Sequence, residues 1–194
     1  ARAAADIQYK YPIGWQELEG IHNRSDFDLS QHQEFSGKKL DFYDQKNQKR
    51  YIPYVIETSV GLDRLTLMVL CDAYREEEVD GDKRTVLKLD PRLAPIQVGV
   101  FPLIKKPELK ELAKKIDKEL REDFSVQYDE SGSIGKRYRR LDEAGTPFCI
   151  TVDFDGLEDD TVTIRYRDDM SQERIPIAKV ADVIRDEIKN WKVG

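Results

Sequence analysis

Pro53-Tyr-Val-Ile-Glu-Thr-Ser-Val-Gly-Leu-Asp-Arg64 decides how the rest of the chain is read. A run rich in β-branched and aromatic side chains ends in a carboxylate, a hydroxyl and a glycine, and the strongly apolar stretch from Leu62 to Tyr74 begins at once. The pattern predicts a strand, a tight turn and a buried helix. The turn sets Glu57 and Ser59 at the strand's end and Arg64 in the first turn of the helix. A guanidinium is planar and always charged, so among apolar neighbours it needs a phosphate, a carboxylate or an aromatic ring to meet it.

Working outward, Gly14-Trp-Gln-Glu-Leu-Glu-Gly-Ile21 and Asn23-Arg-Ser-Asp-Phe-Asp-Leu29 lie upstream of this stretch. Leu93-Ala-Pro-Ile-Gln-Val98 and Gly132-Ser-Ile-Gly-Lys-Arg-Tyr-Arg-Arg140 lie downstream. In this order, and from about Asp6 onward, the chain resembles the class II aminoacyl-tRNA synthetases. The Glu-x-Ser-x-Gly-x-x-Arg form resembles motif 3 of the glycyl-tRNA synthetases in particular. Thr58 departs from the family pattern, which usually has proline there; the change loosens the turn and leaves Glu57 and Ser59 in place.

The resemblance implies an ATP-dependent and Mg²⁺-dependent glycine-tRNA ligase, dimeric and cytoplasmic, whose partners are glycine, ATP and tRNA(Gly). It assigns Glu57, Thr58, Ser59, Val60 and Gly61 to glycine, and Glu17, Leu18, Gly61, Leu62, Asp63 and Arg64 to ATP, with Glu17 able to hold Mg²⁺ on the phosphates. It assigns Lys136, Arg137, Tyr138 and Arg140 to tRNA. The chemistry is physically coherent. Glycine offers no side chain to grip, so discrimination rests on carboxylates that pair with its ammonium and on steric exclusion, because contact with one methylene gains only about 1–3 kcal/mol. No side chain needs to act as a nucleophile, and catalysis is positioning and charge stabilisation. The family's motif 1, which builds its dimer interface, and its motif 2, whose arginine binds the α-phosphate, are not found here. The chain therefore reads as the C-terminal part of a synthetase, inactive alone, with one wall of the active site and an anticodon-binding domain.

Composition agrees with a soluble protein. Charged residues make up 36% of the 194 and the apolar set 39%, and no apolar run approaches the roughly 20 residues that cross a bilayer. The net charge of −6 speaks against a uniformly basic nucleic-acid binder. Charge is unevenly spread: Glu76, Glu77, Glu78, Asp80 and Asp82 form an acidic cluster, and Lys136, Arg137, Arg139 and Arg140 a basic one. Cys71 and Cys149 read as reduced core thiols of a cytosolic protein, since neither has a second cysteine or a histidine at ligand spacing.

The fold class expected is α/β of the α+β kind. Residues 1–92 read as a partial antiparallel-sheet catalytic segment and 93–194 as a mixed-sheet anticodon-binding domain ordered β-α-β-α-β-β-β-α, with the boundary near Ala94-Pro95. In the first part Ile7 to Tyr11 reads as a strand, Trp15 to Asp28 has no clean period, Ser30 to Arg50 reads as a loop with a short hairpin, and Arg75 to Arg84 as an exposed loop. In the second part Pro107 to Glu122 is an amphipathic helix, opened by proline as its missing N–H permits. Gly132 and Gly135 bracket the start of another helix, whose N–H groups and cations suit phosphate.

Each feature also has a plainer reading. Glu57 and Arg64 can form a structural ion pair, Glu17 and Glu19 can both be solvated, and the basic run can be a solvated helix face. Asp26 and Asp28 pair locally with Arg24, and His22 and His32 are surface or core histidines. The competing function is a nucleic-acid-binding module without ligase activity, such as a stand-alone anticodon domain or a polymerase accessory subunit. A third reading uses the acidic loop near Glu76 as a protein-interaction surface.

Overall fold

The structure is a computed structural model that describes residues 1–79 and 81–192. Asp80, counted above in the acidic cluster and its loop, lies outside the described residues. The chain divides into two compact units, Ala1–Cys71 and Asp72–Gly194.

The first unit is built on an antiparallel sheet of β1 (Ala3–Tyr11), β2 (Gly14–Asn23) and β5 (Ile56–Val60), with β2 in the centre. A bulge between Ile7 and Gln8 shifts the β1–β2 register. That shift, together with a strand polar on both faces, is why Trp15 to Asn23 shows no clean alternation although it is a strand. Helix α1 (Phe27–Ser36) occupies much of the stretch read as loop. It buries no residue, and so presents no apolar stripe to find; Gly37, a turn signal in the sequence, is its left-handed cap at φ 67°. The short hairpin is present as β3 (Phe42–Asp44) and β4 (Lys49–Tyr51), closed by Asp44, which accepts from Lys46 N–H and Asn47 N–H. Helix α2 (Leu62–Ala73) follows β5 as the quoted stretch predicts, but it is not the buried helix expected, since only Ala73 is buried and Leu62, Leu67 and Leu70 are exposed; the division between the units falls within it. Among the described residues of this first unit only Tyr11 and Gly20 are buried, while Trp15, Phe35, Ile56 and Leu62 stand exposed.

The second unit begins with the hairpin β6 (Tyr74–Val79) and β7 (Asp82–Leu87), in place of the exposed loop read there. Its main sheet has the order β12-β11-β10-β8-β9, from β8 (Val98–Pro102), β9 (Val126–Tyr128), β10 (Phe148–Val152), β11 (Thr161–Tyr166) and β12 (Gln172–Pro176). β8 runs parallel to β9 and β10, and the other pairs are antiparallel. The predicted order holds, with one short extra helix, α5 (Asp155–Asp159), before β11. Strand alternation makes two cores. Val98, Val100, Ile150 and Val152 face α3 (Pro107–Leu120) and α6 (Val180–Asn190) through Leu109, Ile116 and Ile184. Phe101 and Cys149 lie on the other face under Leu141 of α4 (Ile134–Ala144). Helix α4 comes so close that a Cβ at Gly99 would stand 2.3 Å from Leu141 Cδ1, so any larger residue there would displace the Leu141 side chain.

Residues 72–92, grouped by sequence with the first segment, pack with the second unit, and the reason is ionic. Arg84, fully buried on β7, donates to Asp142 of α4 at 3.0 Å, to Glu77 at 2.7 Å and to the Arg167 carbonyl at 2.5 Å. Arg165 adds two further bonds to the same Asp142 carboxylate, at 2.9 and 3.0 Å.

Candidate functional site

The first locus lies on the β2–β5 sheet. Register pairs His22 with Glu57 and Gly20 with Ser59, so these four share one face; Ile21, Thr58 and Val60 point to the other. Glu57 and Ser59 thus stand side by side as expected, on the strand itself rather than in a turn. Thr58 and Val60, assigned with them by resemblance, lie on the opposite face of the sheet, and Gly61 has open space around its Cα.

Glu57 has a partner that the sequence did not single out. Arg24 reaches its Oε2 at 3.1 Å and also forks onto Asp28, with Nε at 2.5 Å and Nη2 at 3.0 Å. The local fold arranges this. Ser25 takes a left-handed turn at φ 56°, its N–H bonded to the Asn23 side chain, while Arg24 N–H and Val55 N–H donate to the Val55 and Ser25 carbonyls respectively. The Arg24 fork holds the Asp28 carboxyl below its usual range and raises the guanidinium's own value. The i to i+4 spacing of Arg24 and Asp28 was the signal available in sequence; the link to Glu57 was not.

Arg64 is exposed, so no burial has to be offset. Its Nη1 donates to the backbone carbonyl of Glu17 at 2.6 Å, and its own carbonyl accepts from the Tyr11 hydroxyl at 3.0 Å. The segment around Glu17 and Leu18 is thereby tied to the first turn of α2, which carries Leu62 and Asp63. The tie runs through a carbonyl, and Glu17 is left exposed to solvent. Among the described residues no three His, Cys, Asp or Glu side chains come together to hold a metal ion. The exposed Glu17 carboxylate is thus a single oxygen donor and not part of a closed metal cage.

The second locus is the N-terminal half of α4, and here the four predicted residues separate. Lys136 is exposed. Arg137 is 2% exposed and braces the fold, donating to the Pro102 carbonyl at 2.6 Å and to the Gly132 carbonyl at 2.9 Å. Tyr138 packs edge-on against Phe101, shares a 2.7 Å hydrogen bond with Thr151 and lies under Arg165, and burial pushes its hydroxyl's pKa up. Neither Arg137 nor the Tyr138 ring is presented to a ligand. Arg140 is exposed but pinned by Asp129 and Ser131. Arg139, present in the motif but not among the residues assigned to tRNA, lines an open depression of about 480 Å³ with Ser133, Lys136 and Arg140. Pro102 also marks where the parallel strands end. There Leu103, Ile104, Phe154 and Leu157 are exposed, Phe154 by 47%, and Leu103 N–H donates to the Val152 carbonyl. Exposed apolar side chains of this kind suit the stacking of bases. Phe154 reads in the sequence only as the end of a strand.

Residues 97–187 match the family model for the anticodon binding domain. Over 198 aligned residues the chain is 56% identical to the glycine–tRNA ligase of Treponema denticola, with 99% of the chain covered. It is 55% identical to the glycine–tRNA ligase of Borreliella burgdorferi and 54% identical to that of Chlorobaculum tepidum. The chain spans 44% of the length of the first two relatives and 40% of the third.

Proposed function

Because the chain is related along 99% of its length to the glycine–tRNA ligases, we propose that it belongs to an enzyme that activates glycine with ATP and transfers it to tRNA. The observation that carries this reading is the shared face of Glu57 and Ser59 on β5, with Gly20 opposite and Arg24 at its edge.

The chemistry follows from the groups present. Glycine enters as an ammonium and a carboxylate. Glu57 pairs with the ammonium, and the Ser59 hydroxyl accepts from it one strand step away. Arg24, held by its fork onto Asp28, aims the Glu57 carboxylate through a contact of 3.1 Å. Arg64 balances the triphosphate from the first turn of α2, and Mg²⁺, when bound, neutralises phosphate charge. Pyrophosphate leaves as the glycine carboxylate bonds to the α-phosphate. No residue of this chain forms a covalent intermediate, and rate enhancement comes from positioning.

The tRNA partner meets the second unit. Lys136 and Arg139 supply charge, and Phe154 with its apolar neighbours supplies a stacking surface. Binding of tRNA across a salt series tests this part.

The decisive experiment on the first locus is Glu57→Ala in the full-length protein, assayed by glycine-dependent ATP–pyrophosphate exchange. Exchange should disappear while the melting temperature holds. A normal exchange rate overturns the assignment.

A further inference from the structure

We propose that His22 determines amino-acid specificity, filling the space over Gly20 and leaving room beside Glu57 and Ser59 only for an α-carbon without a side chain. The inference rests on the reading of Glu57 and Ser59 as the ammonium site. The motif string gives His22 no role.

The geometry is specific. Residues 20 and 22 are same-face neighbours on β2, paired across to Ser59 and Glu57. On the other side β1 places Asp6 opposite Gly20 and Ala4 opposite His22. Gly20 is buried although it has no side chain to be covered, and the three heavy atoms nearest to a Cβ built on it all belong to the His22 imidazole. A methyl built on Gly20 would stand 2.7 Å from His22 Cε1 and 3.5 Å from each ring nitrogen. The ring therefore leans back along the strand with its tip over the glycine, next to both proposed ammonium partners.

A pocket for glycine has to reject alanine, whose extra methyl can only add favourable contact if space exists for it. Attraction cannot achieve that; occupied volume can. Two features produce such volume at once. Glycine at 20 lets the ring fold down, and the ring then occupies what the missing side chain vacates. Leu18, Glu19 and Ile21 cannot do this, since the bulge and the strand alternation turn them away from the face or out of register.

The test uses the full-length protein and ATP–pyrophosphate exchange with glycine and with alanine. His22→Ala should raise the alanine-to-glycine ratio of kcat/KM about tenfold or more, the lower end of what one methylene discriminates. His22→Phe, which keeps a flat ring, should leave the ratio near that of the parent. A His22→Ala protein that melts early is replaced by His22→Asn, which removes the ring and should shift the ratio in the same direction. An unchanged ratio in a folded His22→Ala or His22→Asn protein overturns the proposal. Glu57→Ala separates the two levels: if that variant still exchanges glycine, the ammonium site itself is misassigned, whereas loss of exchange there with an unchanged ratio at His22 removes only the specificity role.

Discussion

The carboxylate of Asp142 meets Arg84 from 58 residues away, at 3.0 Å, with both side chains sealed from water. Arg165 shares the same carboxylate, so one anion holds two buried cations between α4, β7 and β11. Removing that anion leaves the Arg165 guanidinium without a carboxylate and Arg84 with Glu77 alone, both in a low-dielectric interior. Asp142→Ala should destabilise the second unit by about 3–5 kcal/mol. Urea unfolding of the chain checks it, and a loss below about 1 kcal/mol would mean that water reaches the arginines.

The basic motif on α4 should divide by exposure when tRNA binding is measured against salt. Lys136→Ala and Arg139→Ala should each lower the slope of log affinity on log salt by about 0.7–0.9 for the phosphate that the side chain neutralises. Arg137→Ala should instead lower the melting temperature, because it removes bonds to the Pro102 and Gly132 carbonyls. A slope change at Arg137 in a fully folded variant would contradict its placement.

The two thiols should react very differently. Burial on β10 pushes the Cys149 thiol up to about 12 from an ordinary 9.0, so almost no thiolate exists at neutral pH. Cys71 on α2 is only partly buried. A thiol reagent in mildly alkaline buffer should modify Cys71 in the native chain and reach Cys149 only on unfolding, as peptide mapping would show.

Asp153 predicts an acid dependence. The Arg174 fork, two bonds of 2.8 Å, holds its carboxyl below the usual 3.8. A depressed carboxyl contributes stability that is fully present above the unfolded value and lost as pH falls through the folded one. Asp153→Asn should cost roughly 1 kcal/mol or less at neutral pH. The difference from the parent should then close as the pH drops below 3.8, and a gap that persists in acid would assign the loss to packing.

The first unit buries little of its own apolar surface, so the two units should behave differently when made separately. A fragment of residues 72–192 should unfold cooperatively and bind little hydrophobic dye. One of residues 1–71, with Trp15, Phe35, Ile56 and Leu62 exposed, should bind dye strongly and lack a sharp transition. Dye fluorescence and calorimetry decide between them.

Whatever repeats at short range could be read from the chain alone. The helix α3 shows its stripe at Leu109, Ala113 and Ile116, α4 its start after Ser133, and the five strands of the second unit's main sheet their runs, because period and punctuation are local properties. The stretch from Pro53 to Arg64 was legible for the same reason, and with it the nearness of Glu57 to Ser59 on one strand. Strand β2 and helix α1 were not, since a bulge broke one alternation and the other buries no face at all. Tertiary structure alone decided which charges are structural and which are open to a partner. Arg137 and Arg139 are two residues apart on one helix, yet one is sealed against Pro102 while the other lines an open depression. The same holds for Arg24 on Glu57, His22 over Gly20 and Arg84 on Asp142. Each depends on strand register, a turn or helix packing, and no local pattern encodes which side chain the fold will bring opposite.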